Sequence, residues 1–218
     1  MRIIISAAFT VFALCPLWVV GQVDTVPKDA EYKSAKGVWV IGLGINAVDD
    51  SGNGAVDLFD VEGAWNIVPY PSRLNIGRLW NNGIGAELIG TYNKYDEGKD
   101  VDSVIIEDAT PYYAIDARLS YDLSLIFGDK GWFDPYVGAG FGYAKANEVG
   151  RFTANAVVGF RTWLSPQWAL DFNSSGKWAL SDAGTNHLQH AVGIMYKFKE
   201  KVVNRTPTGR VDNSGTVN

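Results

Sequence analysis

Eight segments of this chain alternate between large apolar residues and small or polar ones, with a period of two. Such alternation predicts β-strands, because successive side chains of a strand point to opposite faces. Past residue 36 there is almost no 3.6-residue periodicity, so the chain is predicted to be all-β. The segments are 36–48, 72–80, 84–95, 111–123, 134–145, 151–163, 168–180 and 187–198.

The length of these segments favours strands that cross a membrane. They have about 9 to 13 residues, as tilted transmembrane strands do, whereas soluble strands usually have about five or six. One face carries large groups such as Trp39, Phe141 and Phe172, and the other carries Gly, Ser, Asn and a few charges. The interior of an eight-stranded barrel is too narrow for the large set. We therefore predict an eight-stranded antiparallel up-and-down transmembrane β-barrel over residues 36–198, apolar face outward.

A soluble β-barrel carrier of the lipocalin kind is the alternative fold. It would require the opposite assignment, with the large apolar set inside and the polar set facing water.

The connections between segments alternate in length. The connections 81–83, 124–133 and 164–167 meet at one end of the barrel, where most of them are short turns. The connections at the other end are mostly longer: 49–71, 96–110, 146–150 and 181–186. Outer-membrane barrels have short periplasmic turns and longer outside loops. An even strand count then leaves both termini in the periplasm.

The N-terminus is typical of a secretory signal peptide. Arg2 precedes an apolar run, and cleavage is predicted near residue 22. Residues 23–35 and 199–218 are predicted to be flexible segments flanking the barrel. The net charge is −5, and the sequence contains no basic stripe. Both features argue against nucleic-acid binding. No cofactor is expected.

Charged residues of both signs fall on the inward face, where an unpaired charge is costly. The set consists of Glu87, Asp116, Arg118, Arg161, Asp171 and Lys177. A turn centred on Pro166 places Arg161 opposite Asp171, and a loop centred near Asp102 places Glu87 opposite Arg118. We predict a lumenal salt-bridge network that plugs the barrel.

Aromatic residues near the strand ends predict a girdle at each membrane boundary. The predicted girdle consists of Trp39, Tyr113, Tyr121, Trp168, Trp178, Tyr196 and Phe198.

Three stretches resemble the OmpA-type eight-stranded outer-membrane barrels, particularly those of Bacteroidetes-like bacteria. They are 61–78, 134–143 and 193–198, the last reading GIMYKF. The resemblance covers residues 34–198. It implies a polar lumenal plug, contact with outer-membrane lipid, and recognition by the barrel-assembly machinery through Gly193, Tyr196 and Phe198. The sequence departs from the family pattern after residue 198. Residues 199–218 are too few for the peptidoglycan-binding domain that often follows the barrel in this family.

The acidic stretch 49–60 resembles a twelve-residue calcium loop. Its candidate ligands are Asp49, Ser51, Asn53, Asp57 and Asp60. Position three is Ser, position twelve is Asp rather than Glu, and no helices flank the stretch. An ordinary acidic outside loop is therefore the preferred interpretation, and no metal site is predicted.

The two histidines do not predict an enzyme. His187 is placed inward near the outer rim, without a motif that provides a nucleophile and an acid, and His190 is placed outward. The predicted role is structural, in membrane integrity or as a surface scaffold or adhesin whose loops meet an extracellular or envelope protein. A narrow gated pore for ions or small solutes is the alternative.

Overall fold

The computed structural model describes residues 37–50, 65–101, 104–128, 131–146, 149–181 and 186–199. Most of these residues form strands, joined by turns and one short helix, α1 (Ser124–Phe127). The strands are β1 (Val38–Asp49), β2 (Trp65–Ile67), β3 (Arg73–Leu79), β4 (Ile84–Tyr95), β5 (Asp100–Val101), β6 (Val104–Ile105), β7 (Thr110–Asp122), β8 (Phe133–Ala146), β9 (Val149–Trp163), β10 (Trp168–Ala179) and β11 (His187–Lys197). Within the described ranges, no helix has the length and apolar character needed to span a bilayer.

The eight long strands close into an antiparallel barrel. Their order is β1, β3, β4, β7, β8, β9, β10 and β11, and β11 pairs back onto β1. This last ladder runs from Val40 opposite Lys197 to Asp49 opposite Leu188. Closure leaves no long strand with an unpaired edge, which a barrel in hydrocarbon requires. The predicted fold class is confirmed.

The predicted strand limits lie within about two residues of the observed ones for all eight barrel strands. Three smaller elements were missed because each lies inside a predicted connection. They are β2, which pairs with the distal end of β1, the two-residue hairpin of β5 and β6, and α1. The connection predicted at 146–150 is also shorter, because β9 begins at Val149.

The wall between β2 and β3 is interrupted at residues 68–72, where two prolines lack the N–H that a ladder needs. Polar groups fill this gap. The Ser72 amide donates to the Gly44 carbonyl at 2.8 Å, and the Asn46 amide donates to Ser72 Oγ at 3.2 Å. Asn93 Nδ2 donates to the carbonyls of Asn46 and Asn66 at 3.2 and 2.7 Å. Side chains therefore replace missing backbone hydrogen bonds at this level.

The turn at residues 80–83 is the tight hairpin that the sequence predicts. The Trp80 amide donates to the Ile84 carbonyl at 2.8 Å, and the Gly83 amide donates to the Trp80 carbonyl at 3.0 Å. Gly83 has φ of +83°, a conformation that glycine adopts without the steric cost of a side chain. This turn sets the register of β3 on β4.

The two faces of the barrel are arranged as the sequence predicts. Trp39, Leu88 and Phe141 point outward with 51, 53 and 69% of their surface exposed. The inward positions carry glycines, polar groups and buried charges. An exposed apolar surface of this extent requires an apolar medium, so the inverted barrel suits a bilayer and excludes a water-soluble carrier.

Aromatic side chains form a belt on the outward face near each end of the barrel. At the basal end, which we define by the turns at 80–83, 123–132 and 164–167, Tyr196 packs on Trp168 and Phe198 with ring centroids 4.8 and 5.1 Å apart. At the opposite, distal end, Tyr92 packs on Tyr70 and Tyr113 at 6.3 and 5.2 Å. Of the predicted girdle, the structure places Trp39, Tyr121, Trp168, Tyr196 and Phe198 toward the basal end, and Tyr113 and Trp178 toward the distal end.

A charge on the outward face tests the inverted arrangement. We expect Phe141→Arg to lower the free energy of unfolding by about 2–4 kcal/mol, because the outward wall at this level faces hydrocarbon. Reversible urea unfolding in lipid vesicles measures the change. Phe141→Leu is the matched control and should cause a smaller loss. Equal stability of the arginine and leucine variants would contradict the assignment of the faces.

Candidate functional site in the barrel interior

The six charged residues predicted inside the barrel all lie there, and each exposes 6% or less of its surface. The period-two geometry of β4, β7, β9 and β10 points every second side chain into the lumen. Both predicted register pairs are confirmed, with Glu87 opposite Arg118 and Arg161 opposite Asp171.

A basal cluster is centred on Glu87. Arg118 Nη2 lies 2.6 Å from Glu87 Oε2, and Arg161 Nη2 reaches the same oxygen from across the barrel at 3.3 Å. Asn75 Nδ2 donates to Glu87 Oε1 at 2.9 Å. Both carboxylate oxygens are therefore satisfied, which a buried carboxylate requires.

Asp171 joins the basal cluster from the other side of the lumen. Its Oδ1 accepts a hydrogen bond from the Tyr136 hydroxyl at 2.9 Å and lies 3.8 Å from Arg161 Nε. Arg73 Nη1 lies 3.4 Å from Asp171 Oδ2. The Arg161 guanidinium stacks 4.3 Å from the centre of the Tyr136 ring. These contacts join four barrel strands, β3, β8, β9 and β10, through side chains alone.

Arg73 and Tyr136 are members that the sequence prediction missed. Arg73 shares its inward parity with Asn75 and Gly77, and that pattern could have identified it. Its partner lies on β10, which is separated from β3 by β1 and β11. Pairing arguments between adjacent strands could not reveal that contact.

Asp116 and Lys177 form a central pair above the basal cluster. Lys177 Nζ lies 2.7 Å from Asp116 Oδ2, and Asn155 Nδ2 donates to Asp116 Oδ1 at 2.8 Å. Gly142 makes room for this carboxylate, because a Cβ there would lie 2.0 Å from Asp116 Oδ1. A glycine of the inward face thus fixes where the buried anion sits.

A distal cluster closes the opposite end of the interior and was not predicted. Arg151 forms an ion pair with Asp50, and the Tyr95 hydroxyl donates to Asp50 Oδ2 at 2.9 Å. The Tyr112 hydroxyl lies 3.0 Å from His187 Nε2, and the rings of Tyr95 and Tyr112 stack 5.5 Å apart. Asp50 lies in the acidic stretch 49–60, which the sequence pattern assigns to an outside loop, so its position inside the barrel was not predicted.

The interior is filled rather than open at the level of the central pair. A cavity of about 20 Å³ between the basal cluster and the central pair is lined by Arg73, Asp116, Arg118 and Lys177, among others. That volume is close to the space needed by a single water molecule. The three groups together contain five cations, Arg73, Arg118, Arg151, Arg161 and Lys177, and four anions, Asp50, Glu87, Asp116 and Asp171. The formal charge of these nine residues is therefore +1.

The candidate calcium ligands are only partly described. Asp49 ends β1 and is buried, whereas Ser51, Asn53, Asp57 and Asp60 lie outside the described residues. In the part of the chain that the structure describes, no group of His, Cys, Asp and Glu is arranged to hold a metal ion. The signal peptide and both flanking segments also lie outside the described residues, apart from Lys199.

The two histidines face opposite ways, as the alternation predicts. His187 is buried inside the distal cluster. His190 lies on the outward side of β11, where its ring stacks on Trp65 with centroids 4.7 Å apart. Because one histidine faces the lumen and the other faces outward, they do not belong to one site.

Comparison with solved structures identifies the fold. Neisserial surface protein A (NspA) matches with a TM-score of 0.50 and 16% sequence identity, over 76% of this chain and 98% of that protein. The chain has the fold of an eight-stranded outer-membrane β-barrel. No family model matches the sequence, and no curated protein matches it either.

Two further barrels resemble this chain less closely. The attachment invasion locus protein Ail of Yersinia pestis matches at a TM-score of 0.47 and 14% identity, over 75% of this chain and 99% of Ail. The N-terminal β-barrel domain of OprF from Pseudomonas aeruginosa matches at 0.44 and 14%, over 75% of this chain and all of that domain.

Removing the carboxylate at the centre of the basal cluster tests its importance. We expect Glu87→Gln to lower the free energy of unfolding by about 3–5 kcal/mol, because Arg118 and Arg161 lose their shared buried counter-charge. Denaturant unfolding in vesicles measures the loss. Glu97→Gln, at an exposed loop position, is the control and should be neutral. Similar stability of both variants would show that Glu87 is dispensable.

Proposed function

We propose that this protein is a structural barrel of a bacterial outer membrane whose interior is closed by its own charged side chains. The observation that carries the proposal is the series of three groups, basal cluster, central pair and distal cluster, that occupies successive levels of the lumen. Each buried cation among the described residues of these groups has a carboxylate within 4 Å. A permeation path would have to break several of these pairs together.

The outer membrane is the location that fits such a barrel. Outer membranes host closed barrels with an outward apolar band and aromatic belts, and the similarity to NspA supports the same setting. The basal end, with its turns, would face the periplasm together with both termini, and the distal loops would face outside. A structural role of this kind requires no catalytic residue in the lumen.

The distal loops are the proposed contact surface for an extracellular or envelope protein partner. They are carried on a closed barrel wall in which every long strand is paired on both sides, and such scaffolds commonly present binding loops. A pull-down from native membranes, with the chain as bait, tests whether such a partner exists.

Conductance distinguishes a closed barrel from a narrow gated pore. We expect the wild-type protein in planar bilayers to show no single-channel steps at either polarity, because packed ion pairs fill the lumen. A double variant, Arg118→Ala with Arg161→Ala, opens only the basal cluster and should also show no steps, because the central pair and the distal cluster still close the lumen. Reproducible steps from the wild type would favour the pore and contradict the closed barrel.

The end of β11 is the proposed contact for the barrel-assembly machinery, through Gly193, Tyr196 and Phe198. In the finished barrel this stretch lies beside β1, with Gly193 opposite Gly44 and Tyr196 opposite Ile41. The Phe198 amide donates to the Trp39 carbonyl at 3.0 Å. A signal at this position would be read before the last ladder closes.

Assembly in cells tests this contact. We expect Phe198→Ala to reduce the folded, heat-modifiable fraction in the outer membrane several-fold, while refolding from urea into detergent stays unchanged. Tyr121→Ala removes an aromatic from the same basal end on another strand and is the matched control. Equal loss in both variants, or equal loss in refolding, would count against a recognition role for Phe198.

A further inference from the structure

The outward wall of β10, β11 and β1 contains three polar side chains where its neighbours are apolar. Along these strands the outward positions include Phe172, Val192 and Ile194, yet Ser174, His190 and Asp49 interrupt them. Ionisable and polar groups that face hydrocarbon are expensive and mark functional sites far more often than structural ones. The three residues together therefore require an explanation that the lumenal plug does not supply.

The register of the strands brings the three residues into one line. Ser174 lies directly opposite His190, and His190 lies opposite Ala47. Side chains directly opposite each other on one face have Cβ atoms about 5 Å apart. Asp49 lies opposite Leu188, so it is the diagonal neighbour of His190, on the side away from Ser174. The order across the wall is hydroxyl, imidazole, carboxylate.

Burial follows the same order. Asp49 exposes 4% of its surface, whereas His190 and Ser174 are half-buried. Trp65 lies opposite Asp49 and stacks on the His190 ring at 4.7 Å with an interplanar angle of 23°, which holds the imidazole in place. Nε2 of His190 is buried and has no hydrogen-bond partner among the described residues. Buried polar atoms normally have a hydrogen-bond partner, so the missing partner of this nitrogen requires an explanation.

We propose that Ser174, His190 and Asp49 form an ester-hydrolysing site on the lipid-facing wall. Ser174 is the nucleophile, His190 the general base and acid, and Asp49 the positioning residue behind the imidazole. A serine, a histidine and a carboxylate in this order form the constellation that activates a hydroxyl on many unrelated folds. The described structure contains no hydrogen bond between Ser174 and His190, and the proposal requires one to form when substrate binds, because catalytic hydrogen bonds are often long in free enzymes.

The reaction balances with an ester and water. Ser174 Oγ bonds to the ester carbonyl carbon while its proton passes to His190 Nε2. The bond to the alcohol then breaks, and the alcohol leaves with that proton. Water attacks the acyl-serine through the same imidazole, which returns the proton to Ser174 Oγ. The products are an alcohol and a fatty acid.

The surroundings of Ser174 suit an acyl chain. Gly176, the next outward position on β10, lies between Ala156 and Leu188, and the Trp178 indole packs over it, so the surface beside the hydroxyl is apolar. Phe172 and Trp178 bound this surface on β10, and Trp178 belongs to the distal belt. The site therefore lies toward the outer leaflet, and the substrate class is an acyl ester of a membrane lipid.

Covalent labelling of the folded full-length chain in detergent tests the nucleophile. A fluorophosphonate probe should label Ser174, as mapped by peptide mass spectrometry, and labelling should disappear in Ser174→Ala and fall at least 100-fold in His190→Ala. Ser175→Ala is the matched control, because the neighbouring serine points inward, and it should keep wild-type labelling. Heat-modifiable migration verifies that each variant is folded.

Fatty-acid release from phosphatidylethanolamine vesicles containing the refolded protein tests the activity. We expect release from wild type and Ser175→Ala, none above background from Ser174→Ala, and a lower kcat with unchanged KM for Asp49→Asn. The proposal is overturned if folded wild type neither labels at Ser174 nor releases fatty acid, or if Ser174→Ala releases as much as wild type. Conductance and lumenal stability are independent of this outcome, so the closed-barrel proposal stands or falls separately.

Discussion

The ladder between β1 and β11 is the interaction on which the rest of the molecule depends. In hydrocarbon an unpaired amide or carbonyl group cannot hydrogen-bond to water, so the last strand of the sheet must pair with the first. Ten residue pairs form this closing ladder, from Val40 with Lys197 to Asp49 with Leu188. Once the ring is closed, strand parity alone decides which side chains meet lipid and which share the narrow lumen. Both the apolar wall and the buried charges follow from this.

The lumen shows how a protein fills a space too small for a conventional core. Inward glycines leave room for the side chains of neighbouring strands, and long cationic side chains span the lumen to carboxylates on other strands. Buried ion pairs of this kind are weak evidence for added stability, because desolvation offsets much of their attraction. Their clearer effect is on uniqueness, since Glu87 meets both Arg118 and Arg161 only in this register. We interpret the buried ion pairs as favouring one strand register of the barrel over the alternatives.

Sequence reasoning identified the barrel and its strands because parity is a local property. It also found the pairs whose members sit on adjacent strands, such as Arg161 and Asp171, since a turn position fixes that register. It did not find that Lys177 binds Asp116, because β8 and β9 lie between β10 and β7. Such contacts depend on the diameter of the closed ring and on side-chain length, neither of which one strand pair reveals. The distal cluster was missed for the further reason that Asp50 follows the last residue of β1.

The two ends of the described barrel lie next to each other. The Phe198 amide donates to the Trp39 carbonyl at 3.0 Å, so one strand spacing separates the first and last strands at the basal end. A short peptide could join them without disturbing any ladder. The chain could then be opened in a distal connection instead, which would give a circular permutant with every rung preserved. The order in which the strands are synthesised is therefore separable from the architecture they form.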